Sequence, residues 1–168
     1  SYAFRYPRQE RGTHVDLFAG IGGFAVALQA LGNSTVLAND TCPLAAAAYR
    51  ANHPHTRWEA RTLRDTQWWH CAAHLKPAGI TGGFPCPDWS SAGPQRGLLG
   101  RDPDLGFLAI RFAQFCHAEW ALFENVGGLL SPATEVAWQA LQQGATDAGF
   151  AIVHRYVQAE AWAPQRRP

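Results

Sequence analysis

Short apolar runs alternate with helix-like stretches along almost the whole chain, and the runs end near glycine or an acidic residue. No other feature constrains the fold as strongly. A strand followed by a helix and then another strand makes a βαβ unit, and successive units build a mostly parallel sheet flanked by helices. His14 to Phe18 reads as the first strand, Ala19 to Gly23 as a tight loop, and Phe24 to Leu31 as a helix stopped at Gly32. Thr35 to Ala38 is a second strand, and Pro43 at a first helical turn opens Leu44 to Ala51. Thr62 to Leu75 predicts another helix with Pro77 beyond its end, and Ala78 to Gly82 a further strand. The chain from Pro87 to Asp102 is turn-like, and Asp104 is placed to cap a helix running to about Cys116. Trp120 to Phe123 then predicts a strand, Ala133 to Ala148 a helix closed by Gly149, and Phe150 to Val157 a last strand. The fold class expected is α/β, with a mostly parallel twisted sheet flanked by helices.

At 168 residues, 47% apolar and 16% charged, the sequence suits one folded domain with a real core and argues against disorder. No run of 18 uncharged apolar residues is present, so no membrane span is expected, and Ser1 to Thr13 lacks the apolar stretch of a signal peptide. Cys42, Cys71, Cys86 and Cys116 are widely spaced and form neither a CxxC pair nor a zinc-like cluster with histidine. A reduced, cytoplasmic protein without metal is the simpler reading. The net charge of +1 gives no long-range argument for nucleic acid. Lys76 is the only lysine, and arginines gather at both ends. Phosphate binding and a GC-rich coding sequence both account for that bias.

Four places carry chemistry. Cys86 lies in Gly82-Gly83-Phe84-Pro85-Cys86-Pro87-Asp88-Trp89-Ser90, where glycines and prolines turn the chain out of the sheet. A thiol just past a strand faces the crevice where open α/β sheets bind ligands, although many free cysteines are simply small buried hydrophobes. Asp16 to Gly23 runs a strand into a glycine turn and a helix, without the spacing of a dinucleotide fingerprint or the lysine of a phosphate loop. Asp40 ends the second strand, where acidic groups receive ribose hydroxyls, or it is a plain cap. Glu124, followed by Asn125 and Val126, ends another strand. Partial burial would raise its pKa and suit it to proton donation, and a solvated loop carboxylate is the alternative. No histidine completes a triad with Cys86, so a cysteine hydrolase has little support.

Taken together, Asp16 to Phe24 (Asp-Leu-Phe-Ala-Gly-Ile-Gly-Gly-Phe), Pro85 to Gly93 (Pro-Cys-Pro-Asp-Trp-Ser-Ser-Ala-Gly) and Glu124-Asn125-Val126 resemble the signature blocks of the DNA (cytosine-5) methyltransferases, in the family's order and at similar intervals. Asn39-Asp40, Tyr49, Asn52 and the near-terminal Pro164-Gln165-Arg166-Arg167 agree, so the resemblance covers about residues 13–168. It implies a Rossmann-like, S-adenosylmethionine-dependent methyltransferase domain over 13–168, with 1–12 an N-terminal extension. It implies that S-adenosylmethionine lies against Phe18, Ala19, Gly20, Gly22, Gly23, Asp40, Thr41 and Pro85, and leaves as S-adenosylhomocysteine. It further implies a cytosine flipped out of double-stranded DNA. Cys86 attacks C6 of that base, Glu124 holds or protonates N3, Asn125 fixes the Cys86 loop, and Arg167 supports the base pocket. The methyl group goes to C5, as in restriction-modification enzymes.

The sequence departs from the family at several points. Pro87 stands where glutamine is common and removes a backbone donor, Trp89 where phenylalanine is common, and Thr41 where a larger side chain often covers adenine. Ala60 falls where an acidic residue is expected, with Glu59 and Asp65 flanking it. The target-recognition domain and the last blocks of the family have no counterpart before Pro168. A fragment, one subunit of a two-chain enzyme whose second polypeptide carries recognition, and a catalytically silent cofactor- or partner-binding module are the readings this leaves. An exposed apolar patch is expected, with Trp68-Trp69 and Trp162 as its candidates and a place in the core as the equal alternative for these tryptophans.

Overall fold

The computed structural model describes residues 12–85 and 105–161. Cys86, Asp104, Trp162 and Arg167, together with residues 1–11, lie outside that set. Five parallel strands form one sheet: β1 (Thr13–Leu17), β2 (Ser34–Asn39), β3 (Arg57–Glu59), β4 (Gly79–Gly83) and β5 (Trp120–Glu124), in the order β3-β2-β1-β4-β5. The helices are α1 (Gly23–Ala30), α2 (Pro43–Asn52), α3 (Trp69–His74), α4 (Leu105–Phe115) and α5 (Glu135–Asp147). The chain winds outward from β1 to β3, then returns to place β4 on the other side of β1. The order therefore reverses between β1 and β4, and in open parallel sheets a crevice opens at the carboxyl ends of strands at such a reversal.

Side-chain alternation divides β1 between two layers. Val15 and Leu17, with Leu37 and Ile80, pack against Leu63, Trp68, Trp69 and the α4 residues Leu108 and Phe112. On the opposite face Ala38, paired in register with Asp16, packs with Ala25 of α1 and Tyr49 of α2. A third cluster, built on Phe84, Ile110, Leu129 and Leu141, closes the β5 end.

The structure differs from the sequence expectations in three places. The short strand β3 is absent from them: three residues flanked by histidine, proline and arginine give little strand signal. The expected helix over Thr62 to Leu75 is a 3-10 turn, Thr66–Trp68, followed by the six residues of α3. The Trp68 indole donates to the Thr62 carbonyl at 3.0 Å and the Trp69 indole to the Leu63 carbonyl at 3.1 Å. Those carbonyls are spent on tertiary bonds, and both rings are buried against Phe112. Trp68-Trp69 is thus core, the second of its two readings, and not part of an exposed patch. Finally, Phe150 to Val157 is no strand. Residues 151–158 pair with nothing in the sheet, while Phe150 and Ile152 pack on the third cluster and His154 meets Trp138 edge-on. Among the described residues β5 pairs with β4 alone, so its outer edge is free and the segment does not take it: a β-pattern by itself does not dictate pairing.

Candidate active site

The carboxyl ends of β1 and β2 are joined through backbone and one carboxylate. Ala19 N–H donates to the Asn39 carbonyl at 3.0 Å. Gly20 N–H donates to Asp40 Oδ2 at 2.9 Å, and Cys42 N–H to Asp40 Oδ1 at 2.9 Å. Each oxygen of Asp40 thus holds one backbone donor and keeps a further lone pair for a ligand. Phe18 sits at φ 51, a conformation that costs an aromatic residue energy and clusters at functional sites. Gly22, at φ 98, forms the N-cap of α1. A Cβ there would lie 2.6 Å from His53 Nε2, so this position of the turn admits only glycine without a shift. Ala19 is buried, and the exposed Gly23 starts α1.

A cavity of about 310 Å³ opens over these strand ends. Phe18, Asp40, Thr41 and Pro85, each singled out from the sequence, line it. So do Asn39, Thr62, Leu63, Gly83 and Leu105, none of which was assigned to the cofactor from the sequence. Asn39 was legible as the neighbour of Asp40 at a strand end. Thr62 and Leu63 were hidden by the expected helix, and nothing in the local sequence marks Leu105, whose approach depends on how α4 crosses the sheet.

The ends of β4 and β5 form the far side. Gly83 pairs in register with Glu124, and the Glu124 carboxylate reaches over it: Oε2 lies 3.1 Å from where a Gly83 Cβ would stand. Among the described residues Glu124 is exposed, as a solvated carboxylate at a strand end would be. Asn125 Nδ2 donates to the Phe84 carbonyl at 3.0 Å, while its Oδ1 accepts from Val126 N–H at 2.8 Å. The side chain therefore clamps the chain two residues before Cys86. Cys86 itself follows Pro85 in sequence and, like Arg167, lies outside the described residues.

Beneath the site, β1 carries two buried ionisable groups. Thr81 Oγ1 donates to Asp16 Oδ1 at 2.7 Å, tying β1 to β4, while Asp16 Oδ2 is buried without a partner. Burial pushes the Asp16 carboxyl up to about 6, against the lowering effect of the Thr81 bond and with a small upward push from Asp40. Burial likewise lowers His14 to about 4 and raises the Cys116 thiol to about 12, so that thiol is an inert core group. Among the described residues no three His, Cys, Asp or Glu side chains gather as a metal site, and no helix is long and apolar enough to cross a membrane.

A parallel α/β sheet with a ligand-sized cavity at its switch point, fenced by a glycine turn and a strand-end carboxylate, defines the Rossmann-like class that binds nucleosides at this edge. Residues 12–168 match the sequence profile of the C-5 cytosine-specific DNA methylases, and the chain belongs to that family. The Type II methyltransferase M.HgiBI of Herpetosiphon aurantiacus is 32% identical over 143 residues, which cover 84% of this chain and 32% of that protein. M.PspPI of a Psychrobacter species is 31% identical over 155 residues, covering 91% of this chain and 37% of that protein. The chain thus spans about a third of the length of these relatives. Among solved structures, a DNA modification methyltransferase described as putative and encoded within an Escherichia coli prophage superposes with a TM-score of 0.63 at 18% identity, over 80% of this chain and 38% of that one. A Spodoptera frugiperda DNMT2 variant gives 0.59 at 21%, over 80% and 41%. At those identities the likeness is one of fold.

Proposed function

We propose that this chain carries the methyl-transfer chemistry of a DNA (cytosine-5) methyltransferase. The observation that carries the reading is the cavity at the ends of β2, β1 and β4. Four residues singled out from the sequence line it, among them Pro85, which Cys86 follows in the sequence. Its volume of about 310 Å³ lies at the small end of ligand clefts, which run from roughly 300 to 1,000 Å³. Asp40 keeps lone pairs for ribose hydroxyls, and the backbone at Gly20, with nothing within 4 Å of where a Cβ would stand, admits close approach. The residues present therefore fit S-adenosylmethionine, which when bound supplies an electrophilic methyl group on sulfur.

The chain's own groups then act on the base. Cytosine C5 is too poor a nucleophile to take a methyl group until the aromatic ring is opened to addition. The Cys86 thiolate adds to C6 of a flipped cytosine, and Glu124 hydrogen-bonds or protonates N3, drawing the ring electrons toward that nitrogen. The resulting enamine carries electron density on C5, which takes the methyl group. A base removes the C5 proton, and the electron pair returning to the ring expels Cys86 as thiolate. Asn125, bonded to the Phe84 carbonyl, fixes the approach of the Cys86 loop, and Arg167 supports the base. The choice of target sequence is assigned to a recognition domain outside these 168 residues, in cis or on a second polypeptide. The net charge of +1 favours that division, because phosphate contacts supply most non-specific affinity for DNA.

The test is transfer of labelled methyl groups from S-adenosylmethionine to duplex DNA, by the chain alone and with a recognition domain supplied in trans. Label recovered as 5-methylcytosine supports the reading. Label absent from cytosine under both conditions leaves a silent binding module of the same fold.

A further inference from the structure

Asn39 is 2% exposed at the end of β2, and its side chain spends both amide hydrogens on the loop that leaves β3. Nδ2 donates to the Glu59 carbonyl at 3.0 Å and to the Arg61 carbonyl at 2.7 Å. The Glu59 carbonyl also accepts Asp40 N–H at 3.2 Å, and the Asn39 carbonyl accepts Ala19 N–H. One residue thereby holds the glycine turn with its backbone and the β3 exit with its side chain. The held loop continues into Thr62 and Leu63, which form one wall of the cavity. Arg61 lies flat against Glu59 through a two-pronged ion pair, at 2.9 and 2.8 Å, and so is directed away from a second role in shaping that wall.

The order of the strands fixes which end of a ligand meets this wall. Cys86 follows β4 and Asp40 follows β2, so a nucleoside with its sugar on Asp40 and its transferable group toward Pro85 extends its base to the β3 side. We infer that Asn39 is a positioning residue for the nucleoside end of the ligand, setting the Thr62–Leu63 wall against the base without touching the reacting atoms. This inference rests on the cavity reading given under the proposed function.

The test compares the full chain with its Asn39→Ala variant, using S-adenosylhomocysteine by calorimetry and adenosine by ligand-observed NMR. Removing two neutral hydrogen bonds predicts about a tenfold loss of affinity, equal for both probes because both carry the nucleoside. Amide hydrogen exchange should quicken at residues 60–63 and stay unchanged in α4. A general loosening of the cavity would instead cost S-adenosylhomocysteine more than adenosine, since contacts at the Phe18 turn would weaken too. That result, or unchanged affinity for both probes, overturns the inference. If Asn39→Ala fails to fold, Thr62→Gly on the exposed side of the same loop should give the same equal loss, and unequal loss there counts against it. Wild-type chain that binds neither probe overturns the cavity reading itself.

Discussion

Asp16 is buried in β1 with one carboxylate oxygen unpartnered. Its carboxyl titrates at about 6 in the folded chain against an ordinary 3.8, a difference worth about 3 kcal/mol as an upper limit. The folded state binds this proton more tightly than the unfolded state. The contribution is therefore fully present below about 3.8 and is lost as the pH rises through about 6. Asp16→Asn keeps an oxygen to accept the Thr81 hydroxyl and removes the charge. In urea denaturation, the stability of the variant relative to wild type should rise by up to about 3 kcal/mol between pH 4 and pH 7. A constant difference across that range would contradict the assignment. The glycine turn gives a second prediction. Gly22→Ala combines a left-handed φ with a close approach to His53, whereas Gly20, at φ 54, has nothing within 4 Å of its missing Cβ. Thermal melts should show a loss of roughly 1–2 kcal/mol for Gly20→Ala and distinctly more for Gly22→Ala. At Asp40, a charged hydrogen bond is worth roughly 1.5–3 kcal/mol, so Asp40→Ala should weaken S-adenosylmethionine binding about ten- to a hundredfold by calorimetry. Equal affinity would remove Asp40 from the site.

At the scale of elements, strands β1, β2, β4 and β5 and helices α1 and α2 were legible because their patterns and their stop signals agree. Gly32 follows α1 at φ 86, and Pro43 opens α2. The sequence misled where tertiary bonds competed with local pattern. The two indoles take the carbonyls of Thr62 and Leu63, so a helical pattern yields a loop, and that loop walls the cavity. Phe150 to Val157 reads as a strand but pairs with nothing in the sheet, since pattern alone does not dictate that a segment takes a free edge. The site was legible by its ends, Phe18, Asp40 and Pro85, and illegible where it depends on Leu105, which only the crossing of α4 brings in. The β4 and β5 exits meet through Asn125 and the Phe84 carbonyl. Asn125→Ala should leave S-adenosylhomocysteine affinity within about twofold, because that clamp lies outside the cavity lining, while slowing any reaction of Cys86 by about tenfold for one lost hydrogen bond. Calorimetry and single-turnover methylation separate the two, and a parallel loss in both would show that the clamp shapes the cofactor cavity instead.

Across the whole molecule, one face of the sheet is covered by Trp68, Trp69 and α4 and the other by α1 and α2, while β5 forms an outer edge with Leu122 about half exposed. Tyr156, 62% exposed, lies over Gly127 just beyond that edge. The molecule gathers its chemistry at a single rim, where the ends of β2, β1 and β4 surround the cavity and β5 delivers Glu124. The proposed mechanism requires that Cys86, which follows the cavity-lining Pro85 in sequence, form a bond to the base. The most direct measurement is a covalent trap: duplex DNA containing 5-fluorocytosine, with S-adenosylmethionine and a recognition domain supplied, followed by denaturing electrophoresis and peptide mapping. Fluorine at C5 blocks the release of the enzyme after methyl transfer, so the account predicts a stable protein–DNA adduct mapped to Cys86 and abolished in Cys86→Ser. An adduct that persists in Cys86→Ser, or methylation of unmodified DNA without any adduct on the fluorinated duplex, would contradict it.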